Sequence, residues 1–295
     1  MRILRIGWLS AALLLMGAAS QTGAASPASV QKSAPITVFA AASLADALPA
    51  VARAYTARTG VQVRFSFASS AVIVRQLAAG ARAELFITAD SDWMDYAEAR
   101  NLIAHANRTV LLRGRLALIG PADSKVALKI GPSFALAAAL GKRGRLAVGD
   151  PDYVPAGRYA RAALLSLNAW ANVASRVVRA DNVRVALAYV ARKEAPLGIV
   201  YETDALAEPG VRIIDIFPAK THPPIVYPLA ITNRASNGAR GLYNFLQGPE
   251  ARAIFSRYGF MPLARALTNV PDRGSRPAAT PVRRYFTTLV AAGGG

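Results

Sequence analysis

The sequence predicts an α/β fold built as two doubly wound lobes, and three observations carry that prediction. Short apolar runs alternate with helical patterns from Ile36 onward, as expected of a parallel sheet with helices on both faces. The alternation comes as two series, and a further apolar run at 225–231 returns after the second. Strand ends also give way repeatedly to helix starts with no Lys or Arg at the turn itself. This happens at Ser43, at Ser69-Ser70, at Pro155-Ala156-Gly157, at Asp181-Asn182-Val183 and at Tyr201.

In chain order, residues 36–39 form the first expected strand. A helix over 44–58 follows, with Leu48, Val51 and Tyr55 on one face and Gly60 just beyond its end. Residues 61–67 alternate Val61, Val63, Phe65 and Phe67, as a strand does. A helix over 71–79 is closed by Gly80, 85–88 is a strand, and 91–100 a helix. The second series has strands at 116–119, 146–148, 177–178, 198–200 and 212–216, with helices at 133–140, 158–167 and 183–192. Residues 225–231 then read as a strand, and 237–247 and 249–258 as helices. Crossings near 112–115 and 222–227 divide the chain into one lobe of 36–113 with 225–264 and a second of 114–224. In such sheets ligands bind at the carboxyl ends of the strands.

Composition narrows the function. At 295 residues, 53% hydrophobic and 18% charged, the chain is globular and long enough for two domains. A net charge of +18 raises nucleic acid as a partner. The basic residues are scattered, however, and the longest cluster is Lys142-Arg143-Gly144-Arg145. No basic helix face carries interleaved aromatics, so we expect no nucleic-acid partner and read the charge as favouring solubility and attraction of anions. The absence of Cys removes disulfides, zinc-finger spacing and a lipid-modified Cys. Residues 1–25 read as an export signal, with Arg2 and Arg5 ahead of an apolar stretch over 6–19 and small residues through Ala25. The stretch is shorter than the roughly 20 residues of a spanning helix. Residues 265–295, rich in Pro, Gly, Ala and Arg, read as a disordered tail.

The helix starts carry the chemistry. Their unpaired N–H groups and partial positive charge bind anions without a basic side chain, so several converging starts would make a neutral, donor-rich cage for a small dianion. Each signal also has a plain structural reading. Ser43 stands three residues before Asp46, the spacing of a capping box. Of Ser69 and Ser70, one is expected to cap the following helix while the other points outward. The loop 149–157 ends in the small pair Ala156-Gly157, which lets a ligand approach the backbone. Tyr201 closes a buried run, as a core residue or as a phenol donor at the mouth of a cleft.

The surrounding text is more specific. Phe39-Ala-Ala-Ala-Ser43-Leu, Phe67-Ala-Ser-Ser70, Leu85-Phe-Ile-Thr-Ala-Asp90, Trp93-Met-Asp-Tyr96, Ala147-Val-Gly-Asp-Pro151, Val154-Pro-Ala-Gly157, Ala195-Pro-Leu-Gly-Ile-Val-Tyr201 and Arg257-Tyr-Gly-Phe260 occur in this order. Together they closely resemble the periplasmic molybdate-binding proteins of ABC transporters, over residues 36–262. The resemblance implies two lobes of the type II periplasmic binding protein kind with a tetrahedral oxyanion between them. Two serine hydroxyls, carried over to Ser43 and Ser70, would hold it with the backbone N–H groups of Ala156 and Val183 and the hydroxyl of Tyr201. Molybdenum would be bound as its oxyanion, with no direct metal ligand and no cofactor. The resemblance further implies tungstate as a second ligand, a membrane permease as partner, a periplasmic location and a monomer. Two departures stand out: Ala71, where a further hydroxyl is often found, and Glu202, a carboxylate directly after Tyr201.

Other functions fare less well. A hydrolase would need an activated nucleophile, yet there are two histidines, with His105 expected in a polar loop and His222 before Pro223-Pro224, and no Gly-x-Ser-x-Gly elbow. A dinucleotide enzyme would need Gly-x-Gly-x-x-Gly after a strand, which the chain lacks. We therefore expect a binding protein and no enzyme. The alternatives are a receptor for sulfate, phosphate or a small organic anion, or a sensor presenting itself to a different membrane protein.

Overall fold

The computed structural model describes residues 34–263. The expected export signal at 1–25 and tail at 265–295 lie outside the described residues. The elements are β1 (Ile36–Ala41), α1 (Ala47–Thr59), β2 (Val63–Ala68), α2 (Ser70–Ala78), β3 (Leu85–Ile87), α3 (Ser91–Ala99), β4 (Ile103–Arg113) and β5 (Leu116–Pro121). They continue as α4 (Leu136–Ala139), β6 (Leu146–Gly149), α5 (Pro155–Ser166), β7 (Val177–Ala180), α6 (Val183–Ala191), β8 (Leu197–Tyr201), α7 (Glu202–Leu206) and β9 (Val211–Ile216). The last are β10 (Val226–Thr232), α8 (Ala239–Leu246), α9 (Pro249–Arg257) and β11 (Met261–Pro262).

The strands form two sheets, ordered β11-β4-β10-β3-β1-β2 and β7-β6-β8-β5-β9. The chain passes from the first sheet to the second between Arg113 and Leu116 and returns between Ile216 and Val226. Strands β2, β1 and β3 are parallel, as are β7, β6 and β8. The sheets are nevertheless mixed, each carrying antiparallel strands that the β-α alternation alone did not place. β10 runs antiparallel between β3 and β4, with Leu229 opposite both Ile87 and Thr109, and β5 runs antiparallel between β8 and β9. Each reversed strand directly follows a passage between sheets. It enters its sheet in mid-order without a crossover helix to restore its direction.

The amphipathic faces pack as their spacing predicts. Leu48 and Val51 of α1 are at most 1% exposed and join a core cluster that includes Val38, Ile87, Leu118, Ile199 and Leu229 from both sheets. A second cluster packs Ile73, Val74 and Met94 against Phe39 and Phe86. Each such side chain contributes about 1.5–3 kcal/mol on burial. Strand β4 was not expected. Residues 104–106 are exposed, so the run lacks the apolar alternation that marks a strand. His105 therefore lies on this strand and not in a loop, its Nδ1 2.9 Å from Glu98 Oε1. The helix expected over 133–140 shrinks to the single turn of α4, because Ser133 sits at φ 53°, outside the conformation an N-cap adopts.

Candidate functional site

Six of the parallel strands deliver the chain to helix starts at their carboxyl ends, and five of these starts meet. Ser43 lies in a short 3-10 turn, Ala42–Leu44, after β1. That turn delays α1 to Ala47, so the capping box expected between Ser43 and Asp46 does not form, and α1 begins without a side-chain cap. The buried Ser43 hydroxyl instead donates to the phenol oxygen of Tyr227 at 3.2 Å. At the second start neither serine caps. Ser69 occupies the N-cap position of α2, yet only its carbonyl serves the helix, accepting Val72 and Ile73 N–H. Its buried hydroxyl has no protein partner. Ser70 Oγ accepts the Ala89 N–H at 3.0 Å, which leaves its own proton to donate elsewhere.

On the other side, the loop after β6 turns through Asp150, whose carbonyl accepts Val154 N–H at 2.9 Å. Pro155 then opens α5, its missing N–H being no loss at that position. Ala156 follows in the first turn, where N–H groups have no intrahelical acceptor. At α6 the cap is selective. Asn182 Oδ1 accepts the N–H groups of Arg184 at 2.9 Å and Val185 at 3.1 Å, leaving that of Val183 uncapped. Tyr201 ends β8 with its hydroxyl buried and without a protein partner. Burial, with Tyr227 and Tyr159 as neighbours, raises its pKa well above the ordinary phenol value, so it stands as a neutral donor.

These residues line one pocket. Ala41, Ala42, Ser43, Ser69, Ser70 and Ala89 come from the first sheet's connections, and Val154, Pro155, Ala156, Asn182, Val183 and Tyr201 from the second's, around one small, tight pocket. All five residues singled out in the sequence are present, and no charged side chain is among the lining residues. Glu202 is turned to Arg115, whose Nε donates to its Oε2 at 2.6 Å. Among the described residues no group of three or more His, Cys, Asp or Glu is placed to hold a metal ion.

The sequence reading missed the supporting residues. Tyr227 reads as an ordinary strand residue, and Ser69 only as one of two serines of which either could cap the helix. Charged pairs join segments of the two sheets next to the lining residues: Arg158 lies 3.2 Å from Asp90 and also pairs with Asp92, while Arg184 lies 2.6 Å from Asp46. Trp93 Nε1 likewise donates to the Tyr153 carbonyl at 3.0 Å, joining α3 to the loop after β6.

Two buried carboxyls near this pocket set a pH dependence. Burial raises Asp90 from 3.8 to about 7 against the attraction of Arg158, and raises Asp204 to about 6 against that of Arg184. A raised carboxyl holds its proton more tightly folded than unfolded. Its contribution to stability is therefore complete below 3.8 and is lost as pH rises through about 6 and 7. Asp215, shifted below 3.8, loses its contribution only at lower pH. His222, held below 6.5 by burial, works in the opposite direction. The two carboxyls outweigh one histidine, so the ligand-free protein should melt at a higher temperature at pH 5 than at pH 8. A melting temperature that falls on acidification over this range would contradict the assignment.

Comparison with known proteins accords with this geometry. Residues 36–261 match the family model described as bacterial extracellular solute-binding protein. The molybdate-binding protein ModA of Escherichia coli K12 is 46% identical over 226 residues, covering 76% of this chain and 88% of the relative. ModA of Haemophilus influenzae is 42% identical over 231 residues, covering 77% and 90%. Among solved structures, the periplasmic molybdate-binding protein of Azotobacter vinelandii shares the fold with a TM-score of 0.68 at 23% identity, over 77% of this chain and 98% of that one. By the extent of these matches, the chain belongs to the bacterial extracellular solute-binding proteins.

Proposed function

We propose that this protein captures molybdate, and tungstate equally, as the unprotonated dianion and delivers it to the permease of an ABC transporter. The observation that carries this reading is the convergence of Ser43, Ser70, Ala156, Val183 and Tyr201 on one pocket with no charged lining side chain. Each offers an O–H or N–H and together they suit a ligand that only accepts hydrogen bonds. The 46% and 42% identical relatives, both named as molybdate-binding proteins, support the choice of anion. In this reading the two sheets are the cores of two lobes, 36–113 with 225–264 and 114–224, which close over the ligand. The protein acts as a monomer outside the cytoplasm, its work is binding and closure, and it makes no covalent bond to its cargo.

Selectivity follows from the same chemistry. Phosphate keeps a proton at neutral pH and needs an acceptor inside the cage. Glu202, the carboxylate best placed in sequence to supply one, is held by Arg115 outside the lining. Sulfate is a smaller tetrahedron, so a cage sized for molybdate stretches some of its contacts beyond useful length. Titration calorimetry with the four anions should give molybdate and tungstate similar affinities, both well above sulfate and phosphate. Phosphate displacing molybdate at comparable concentration would overturn the ligand assignment.

A further inference from the structure

Arg184, in the first turn of α6, is not among the lining residues, but its guanidinium touches the supports of the pocket on both sides. Its Nε lies 2.7 Å from Oδ1 of Asp204, which is fully buried at the start of α7. This is an ion pair at close range whose N–H direction misses the oxygen. The other oxygen of Asp204 accepts the backbone N–H of Tyr201 at 3.3 Å. One terminal nitrogen of Arg184 reaches the opposite wall. There it donates to the Ser43 carbonyl at 3.2 Å and lies 2.6 Å from Asp46 Oδ2. A single planar group thus ties the turn carrying Ser43 to the strand end carrying Tyr201, and it is the chain neighbour of Val183.

We propose that Arg184 is a positioning residue for oxyanion capture, holding Ser43, Val183 and Tyr201 in their convergent arrangement through Asp46 and Asp204. The inference rests on the pocket being the anion site. Asp204 and Arg184 both belong to segments of the second sheet, so their contact persists if the walls part. Asp46 and the Ser43 carbonyl belong to the first sheet's segments, so those two contacts form only when the walls meet. A rigid planar group lies between two carboxylates and a carbonyl at once, an arrangement that a lysine ammonium on a flexible stem does not reproduce. With Nε against Asp204 and one terminal nitrogen on Asp46 and the Ser43 carbonyl, the guanidinium is held outside the lining of the cage. It stabilises the closed arrangement without becoming a ligand.

Stopped-flow kinetics and calorimetry with molybdate on the full chain test this in Asp46→Asn, Arg184→Gln and Arg184→Lys. Contacts that form on closure act on release, so Arg184→Gln should raise the dissociation rate by about tenfold or more with little change in association rate. Asp46→Asn should raise dissociation by a smaller factor, and Arg184→Lys should recover part of the loss. Asp46 is a partly exposed residue and its replacement leaves the Arg184–Asp204 pair intact, so this variant decides the matter if Arg184→Gln fails to fold. Dissociation within twofold of the parent in the folded variants overturns the proposal, even with a lowered melting temperature, as does a loss confined to the association rate. Ser43→Ala and Tyr201→Phe separate the two levels. If they bind normally, the site assignment fails; if they bind weakly while the Arg184 and Asp46 variants do not, the role of Arg184 alone fails.

Discussion

Replacing Gly157 by Ala is expected to cost at least about 100-fold in molybdate affinity, or about 2.7 kcal/mol. A Cβ at this position would stand 1.8 Å from the Gly149 carbonyl oxygen and 2.5 Å from its carbon. Both are backbone atoms, at the end of β6, and cannot swing aside as a side chain does. The start of α5 would have to withdraw by more than an ångström, carrying the Ala156 N–H with it. A hydrogen bond near 2.9 Å does not survive such a displacement, and the overpacking itself costs roughly 1–3 kcal/mol. Calorimetry and thermal melting on the same sample read both effects. An affinity equal to that of the parent would show that the α5 start is not part of the anion site.

The second large effect is expected from the hydroxyls. Tyr201→Phe removes a buried donor that has no protein partner to lose, so the ligand-free fold should be unaffected while affinity falls by about 1.5–3 kcal/mol. Ser70→Ala should lose a similar amount in binding and somewhat more in stability, because Ser70 Oγ also accepts the Ala89 N–H. Ser43→Ala should behave likewise, since its hydroxyl partners Tyr227 without a ligand. This ordering, with Tyr201→Phe the least damaging to stability, distinguishes ligand donors from ordinary core polar groups. Unchanged affinity in all three would refute the five-residue site.

What the sequence made legible was local. The turn at Asp181-Asn182-Val183 was placed at a helix start, and the structure begins α6 there, with the Asn182 side chain serving Arg184 and Val185. Apolar faces such as Leu48 and Val51 followed from spacing. What was not legible depended on distant segments. The direction of β10 is set by where the chain returns to its sheet, which no local pattern encodes. Strand β4 escaped notice because its exposed small and polar residues satisfy no apolar period. The capping box at Ser43 failed because a 3-10 turn comes first, and Asp46 pairs instead with Arg184, 138 positions later in the numbering. Tyr227 carries no local mark of its contact with Ser43, which spans a separation of 184.

The insertion of β10 between β3 and β4 also bears on how the protein matures. A chain emerging from the ribosome presents its amino-terminal segments first, so the Ser43 and Ser70 turns are made early. Until residues 226–232 arrive, however, the first sheet has a gap at its middle, and Ser43 lacks the phenol that holds its hydroxyl. All five donors lie between Ser43 and Tyr201, but a fragment ending there lacks β10, and with it the middle of the first sheet and the phenol that holds Ser43. Cargo binding is therefore a property of the finished molecule alone. The loaded fraction in a preparation counts native chains, and nascent or truncated ones should neither compete for the anion nor be rescued by it.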